Sequence, residues 1–246
     1  MTTPLIRRSP AHRAEVVAAV SLTPRMRRVT VRAEAMVGVA IRPAQDVELL
    51  LREESGRRVK RRYTIRAARP ELGEFDLDVL LHGSGPGSRW GQSAAPGDAV
   101  EFQGPRGKLE LRPAPWHLLV GDESALPAIS AIAEALPLGE SARSVVEVDG
   151  PADELPVPGE VRWVHRGAAP AGGADRLTAA LDEVRVPDGT RAYLLGESRA
   201  MVALRGVLEA RGLAHDAIFV KGYWNLGRPD RLAGRAPLPS EGTEFR

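Results

Sequence analysis

Two short segments carry the residue types that hold a phosphorylated, ring-bearing ligand. The first is Arg61-Arg62-Tyr63-Thr64-Ile65-Arg66. In an extended strand Arg61, Tyr63 and Ile65 share one face, and Arg62, Thr64 and Arg66 share the other. A flat heterocycle such as an isoalloxazine needs a flat partner and hydrogen bonds to its polar edge, which Tyr63 and Thr64 are suited to supply. The planar fork of an arginine matches a pyrophosphate. The same hexapeptide also reads as an exposed basic strand with a half-buried tyrosine. The second segment is His82-Gly83-Ser84-Gly85-Pro86-Gly87-Ser88-Arg89-Trp90. Its glycines let a backbone approach a phosphate closely, and Ser88 is placed to cap a short helix whose amides would face an anion. A plain glycine-rich turn is the competing reading, which the placement after a strand and before a helix disfavours.

Three further segments sit at strand ends. Gly121-Asp122-Glu123-Ser124-Ala125-Leu126-Pro127-Ala128-Ile129 has Ser124 as a natural N-cap, and its two acids argue against a pyrophosphate turn. Asp122 and Glu123 suit hydrogen bonding to adenine, ribose or flavin groups. Gly196-Glu197-Ser198-Arg199-Ala200-Met201 and Lys221-Gly222-Tyr223-Trp224-Asn225-Leu226-Gly227-Arg228 follow two more strands. Tyr223 and Trp224 either stack on a ring or close the edge of the core. No Gly-x-Gly-x-x-Gly is present.

The elements needed to position these residues change in kind along the chain. Ala14–Leu22, Arg25–Ala33, Asp46–Arg52, Val59–Arg66, Glu74–Leu81, Asp98–Gln103 and Lys108–Leu111 are short and rich in β-branched residues and leucine. In Glu74–Leu81 alternation sets Asp76 and Asp78 on the face opposite Phe75. Six or seven such strands predict a small antiparallel barrel over residues 1–113. After Pro113-Ala114-Pro115 strands alternate with helices. Strands are expected at Trp116–Val120, Ser144–Val148, Val161–Val164, Ala192–Leu195 and Ala217–Gly222. Helices are expected at Ala125–Ala135, Arg176–Val184 and Arg199–Arg211. That pattern predicts a parallel-sheet α/β domain over 114–246, with ligands at the C-terminal strand ends. Gly150–Gly159 and Gly167–Gly173 read as loops, and the segment after Arg228 as extended.

Composition narrows the chemistry. The absence of cysteine excludes disulfides, thiol catalysis and cysteine-ligated clusters, and the five histidines show no metal-binding spacing. Residues 1–113 carry 20 Lys and Arg against 13 Asp and Glu, and the rest 14 against 19. This asymmetry points to an anionic partner for the first half. Carboxylates interrupt the basic residues and no aromatics interleave them, so a small anion fits better than a nucleic acid. Arg7 and Arg8 precede no apolar stretch, and no run of about 18 apolar residues occurs, so no membrane span and a cytoplasmic protein are expected.

Taken together the segments resemble the siderophore-interacting protein family, which includes ferric-siderophore reductases. The resemblance rests on Arg61–Thr64, Asp76–Trp90, Pro96–Asp98, Gly121–Ile129, Trp163–Gly167, Gly196–Ser198 and Gly222–Gly227, in the family's order. It implies a ferredoxin-reductase-like six-stranded FAD barrel followed by a nicotinamide-binding α/β domain, with NADPH or NADH as electron donor. By resemblance Arg61, Tyr63, Thr64, Asp78, Val79, His82 and Gly83 bind FAD. Gly87 and Ser88 would hold the pyrophosphate, and Asp122, Glu123 and Ser124 the far end of the cofactor. Gly87 and Ser124 replace the family's alanine and threonine, and Asn225 stands where arginine is usual. Arg62, Arg66, Lys221 and Arg228 are candidates to attract an anionic ferric siderophore. Arg143, Arg162 and Arg166 are placed to recognise a 2′-phosphate, and Asp149 an unphosphorylated ribose. A monomeric ferric-siderophore reductase is the expectation. A general flavin or ferredoxin-type reductase and a redox-inactive siderophore-binding module are the competing readings.

Overall fold

A computed structural model describes residues 10–227 of the 246. Its first half is a closed six-stranded antiparallel barrel. The strands are β1 (His12–Ser21), β2 (Met26–Arg32), β3 (Asp46–Arg52), β4 (Arg58–Arg69), β5 (Glu74–Leu80) and β6 (Ala99–Arg106), in the order β1-β2-β5-β4-β3-β6. The expected seventh strand at Lys108–Leu111 does not form. A closed barrel leaves no edge on which another strand could pair. Alternation fills the interior: Val29, Val31, Val47, Leu49, Phe75, Leu77 and Phe102 form its buried core, with Phe75 and Phe102 packed edge to face. Between β5 and β6 the chain forms helix α1 (Pro86–Ser93).

The second half is a five-stranded parallel sheet, ordered β11-β10-β7-β8-β9. Its strands are β7 (Trp116–Asp122), β8 (Ser141–Val148), β9 (Glu160–His165), β10 (Arg191–Glu197) and β11 (Ile218–Trp224). Helices α2 (Leu126–Glu134), α3 (Asp175–Asp182) and α4 (Ser198–Ala210) connect them. Fully buried strands read as continuous apolar runs, as Leu118-Leu119-Val120 and Tyr193-Leu194-Leu195 do. From β7 the chain winds outward through β8 and β9, then returns to place β10 and β11 on the other side. The strand order therefore reverses between β7 and β10, which is where sheets of this kind open a crevice.

The chain divides into two compact units, one built on Met1–Leu111 and one on Arg112–Ile129, Leu136–Pro151 and Val157–Arg246. Ser130–Ala135 and Ala152–Pro156 group with the first. Among the described residues no helix is long and apolar enough to cross a membrane, and no group of three or more His, Asp or Glu is arranged to hold a metal ion.

Candidate functional site

The barrel is closed, but one of its seams is only half sewn. β4 pairs with β5 from Ile65 to Arg69 against Leu77 to Glu74, and the ladder stops there. Arg58–Thr64 continues paired with β3 alone, and Asp78–Leu80 with β2 alone. The two strands part with Tyr63 and Thr64 on one lip and Asp78 and Val79 on the other. A register shift between Ile65 and Ala67 marks the place, and bulges of this kind are common beside binding sites.

Helix α1 lies over both lips. A Cβ added at Gly91 would come 2.6 Å from Val79 Cγ1, and one added at Gly87 would come 2.2 Å from Tyr63 Oη. A side chain at either position would require Tyr63 or Val79 to shift. The Tyr63 ring also meets Trp90 of the same helix, centroids 6.0 Å apart. Burial pushes the Tyr63 phenol above its ordinary range, against the opposing effect of Arg61. Its hydroxyl therefore stays protonated and can donate a hydrogen bond.

The two ends of α1 are treated differently. Arg27 donates to the carbonyls of Gly91 and Ala94, each at 3.1 Å, and to that of Gln92, so the C-terminal end is satisfied. At the other end Gly85 is the N-cap, Pro86 holds the first helical position, and no side chain caps the turn. Ser88 is not the N-cap, correcting the sequence reading. Its buried hydroxyl accepts from the His82 amide at 2.9 Å and donates to the His82 carbonyl at 2.7 Å. That pair of bonds ties the Gly83-Ser84-Gly85 loop to the helix it precedes, and Arg89 adds a bond to the Ser84 carbonyl. Pro86 has no amide hydrogen, and the Arg89 amide bonds the Gly85 carbonyl at 3.0 Å. The amides of Gly87 and Ser88 are therefore the ones left without a side-chain cap, the kind of group that receives an anion at a helix N-terminus. Arg61 reaches the same place, its Cγ 3.6 Å from the position of a Gly87 Cβ.

Other expected cofactor residues are placed less freely. Val79 is wholly buried and has only its main chain to offer. The Asp78 carboxylate is held by Arg28 in a two-pronged pair at 2.6 and 2.8 Å. Nothing in the sequence marked Arg28, because the pair depends on the register of β2 against β5. His82 is exposed on the loop, as is Gly83, whose φ of 59° suits glycine. Thr64 is buried. Of the substrate candidates, Arg62 stands 3.8 Å from Glu48, and Arg66 bonds Glu134 at 2.7 Å. The Lys221 ammonium stands 4.9 Å over the Tyr223 ring, and Arg228 lies outside the described residues.

In the α/β unit the predicted acids turn inward. Asp122 ends β7, and its Oδ1 accepts from the Ser124 amide at 2.9 Å and from the Ser124 hydroxyl. Its Oδ2 accepts from the Glu197 amide at 2.9 Å and from the Trp224 indole at 2.8 Å. Asp122 rather than Ser124 is thus the cap of the turn that leads into α2. Burial pushes the Asp122 carboxyl up, outweighing these hydrogen bonds. Glu123 accepts from the Asp149 amide at 2.8 Å and pairs with the buried Arg166 at 3.1 Å. Glu197 caps α4, accepting from the amides of Arg199 and Ala200 at 2.7 and 2.8 Å, and also from that of Leu226 at 3.0 Å. Trp224 therefore closes the sheet edge, the second of the two roles open to it. The candidate 2′-phosphate arginines all face carboxylates: Arg143 meets Glu160, Arg162 meets Glu183 at 2.7 Å, and Arg166 meets Glu123 and Asp149.

A closed antiparallel barrel followed by a parallel α/β sheet is the fold of the ferredoxin-reductase-like class. The ferredoxin reductase of carbazole 1,9a-dioxygenase shares this fold at a TM-score of 0.71 and 20% identity, over 89% of this chain and 71% of that one. Within that class the chain belongs to the siderophore-interacting protein family. Residues 50–109 match the siderophore-interacting FAD-binding domain, and residues 114–227 match the siderophore-interacting protein domain. A siderophore utilization protein from T. fusca is 31% identical, with a TM-score of 0.82 over 90% of this chain and 95% of that one. The ferric vibriobactin reductase ViuB of Vibrio cholerae is 34% identical over 180 residues, 69% of this chain and 66% of its own length. This chain thus spans just under two thirds of that reductase.

Proposed function

We propose that the protein is a flavin-dependent ferric-siderophore reductase, passing electrons from a reduced nicotinamide through FAD to chelated Fe(III). The observation that carries the proposal is the half-open β4–β5 seam with the uncapped N-terminus of α1 beside it. FAD supplies a two-electron acceptor that discharges singly, so one reduced nicotinamide serves two ferric chelates and leaves two Fe(II), an oxidised nicotinamide and a proton.

The chain's own residues bind and orient. On this reading the amides of Gly87 and Ser88 with Arg61 would receive the pyrophosphate, Ser88 would fix the loop before them through its two bonds to His82, and Tyr63 would donate its hydroxyl at the seam. No residue need ligate iron, because reduction weakens the hold of hard oxygen ligands on the metal. The lack of cysteine is compatible with this chemistry. ViuB, by its name a ferric vibriobactin reductase, supports the same activity here.

The test is to load the purified protein with FAD and supply NADH or NADPH anaerobically with ferric chelates. Ferrous iron, captured by a chromogenic ligand, should accumulate at two per nicotinamide oxidised. A flavin that is not reoxidised by any ferric siderophore would overturn the reading.

A further inference from the structure

Parallel α/β sheets receive a dinucleotide pyrophosphate at the helix N-termini that border the reversal of strand order, where free amides meet the negative charge. Here that crevice lies between the C-terminal ends of β7 and β10. Each end carries its own carboxylate, and each carboxylate already holds the amides a phosphate would need. Asp122 takes the Ser124 amide on its own side and reaches across the crevice to the Glu197 amide. Glu197 takes the Arg199 and Ala200 amides of α4. On the next strand Glu123 takes the Asp149 amide.

The crevice is also filled. A Cβ on Gly196 would come 2.6 Å from Asp122 Oδ2, so strand and carboxylate are in direct contact. The last residue of β11 and the turn after it are fastened to the same ends at three points. The Trp224 indole bonds Asp122, the Ser198 hydroxyl bonds the Trp224 carbonyl at 3.0 Å, and the Leu226 amide bonds Glu197. Three arginines of the unit are paired with carboxylates, Arg166 with Glu123 and Asp149, Arg176 with Glu147 and Arg162 with Glu183, while Arg199 in the first turn of α4 is exposed.

We infer that the α/β unit does not hold the pyrophosphate of a nicotinamide dinucleotide, and that a reduced nicotinamide is accepted by its nicotinamide end alone. The second clause rests on the reductase reading; the first stands on the carboxylate-capped crevice. The adenosine half of NADH or NADPH then contributes little to recognition, and the two donors and their shorter analogue behave alike.

Two measurements on the FAD-loaded full chain test this. Titration calorimetry with ADP-ribose, which carries the pyrophosphate and cannot donate electrons, should detect no binding at about 1 mM, where a formed site would give micromolar affinity. Anaerobic stopped-flow reduction by NADH, NADPH and reduced nicotinamide mononucleotide should show rates that agree within about threefold, less than 1 kcal/mol of adenosine contribution. Micromolar ADP-ribose binding, or a mononucleotide slower than NADH by about thirtyfold or more, overturns the inference. If no nicotinamide reduces the flavin while ADP-ribose also fails to bind, the electron-donor reading falls and the closed crevice stands.

Discussion

Gly87→Ala tests the packing of α1 on the seam through the sign of its effect. The new methyl would lie 2.2 Å from Tyr63 Oη, closer than carbon and oxygen can stand, while Tyr63 Cζ would be at an ordinary 3.5 Å. The overlap is thus with the hydroxyl alone. Overpacking of this kind costs about 1–3 kcal/mol, and alanine in place of a helical glycine returns about 0.5–1 kcal/mol. Gly87→Ala should destabilise the flavin-free chain by about 0.5–2 kcal/mol. In a Tyr63→Phe background the hydroxyl is gone, and the same substitution should stabilise by about 0.5–1 kcal/mol. The coupling read from this double-mutant cycle is expected at about 1–3 kcal/mol, measured by urea unfolding without FAD so that ligand binding does not mask it. Additivity within about 0.3 kcal/mol would refute the contact and the placement of α1 with it. The same cycle followed by FAD fluorescence quenching should show weaker FAD binding for Gly87→Ala alone.

Asp122→Asn should lower stability by about 1–3 kcal/mol, because an amide NH₂ must face an N–H donor whichever way it turns; a thermal melt followed by circular dichroism will read it, and an unchanged melting temperature would contradict the bonding described. Ser88→Ala removes both bonds to His82 and should weaken FAD binding about tenfold in a fluorescence titration, about 1.4 kcal/mol, while leaving the barrel folded by circular dichroism. Burial would raise the Asp76 carboxyl, but bonds from Arg69 and Thr30 prevail and hold it below its ordinary range. The unfolded chain then takes up the proton first as pH falls, so this contribution is complete above about pH 4 and lost as pH falls through the lower folded value. Arg69→Met should therefore move the acid-unfolding midpoint to higher pH, and an unmoved midpoint would rule the pair out as a contributor.

Much of the architecture could be read along the chain because it rests on local periodicity. Short segments rich in β-branched residues and leucine, with clear alternation in Glu74–Leu81, located the six barrel strands, and the switch to strand–helix alternation after Pro115 located the parallel sheet. The seventh strand at Lys108–Leu111 was an error of the same local method: the segment has strand composition, but pairing needs an edge, and closure of the barrel removes it. The Gly-Pro step that starts α1 was also in plain view, yet the serine three places on drew the capping role by residue type.

The opening features, Arg61–Arg66 and His82–Trp90, were identified from residue type and spacing alone. That one tyrosine hydroxyl meets one glycine of a helix above it was decided by tertiary structure, as was the parting of β4 from β5 after Ile65. The acids of Gly121–Ser124 and Gly196–Ser198 show the division most clearly. Their sequence makes them candidates for ligand contact, since a carboxylate at a strand end has hydrogen-bonding capacity to spend. Which groups claim that capacity depends on strands far apart in the chain, and here the claimants are the protein's own amides and the Trp224 indole.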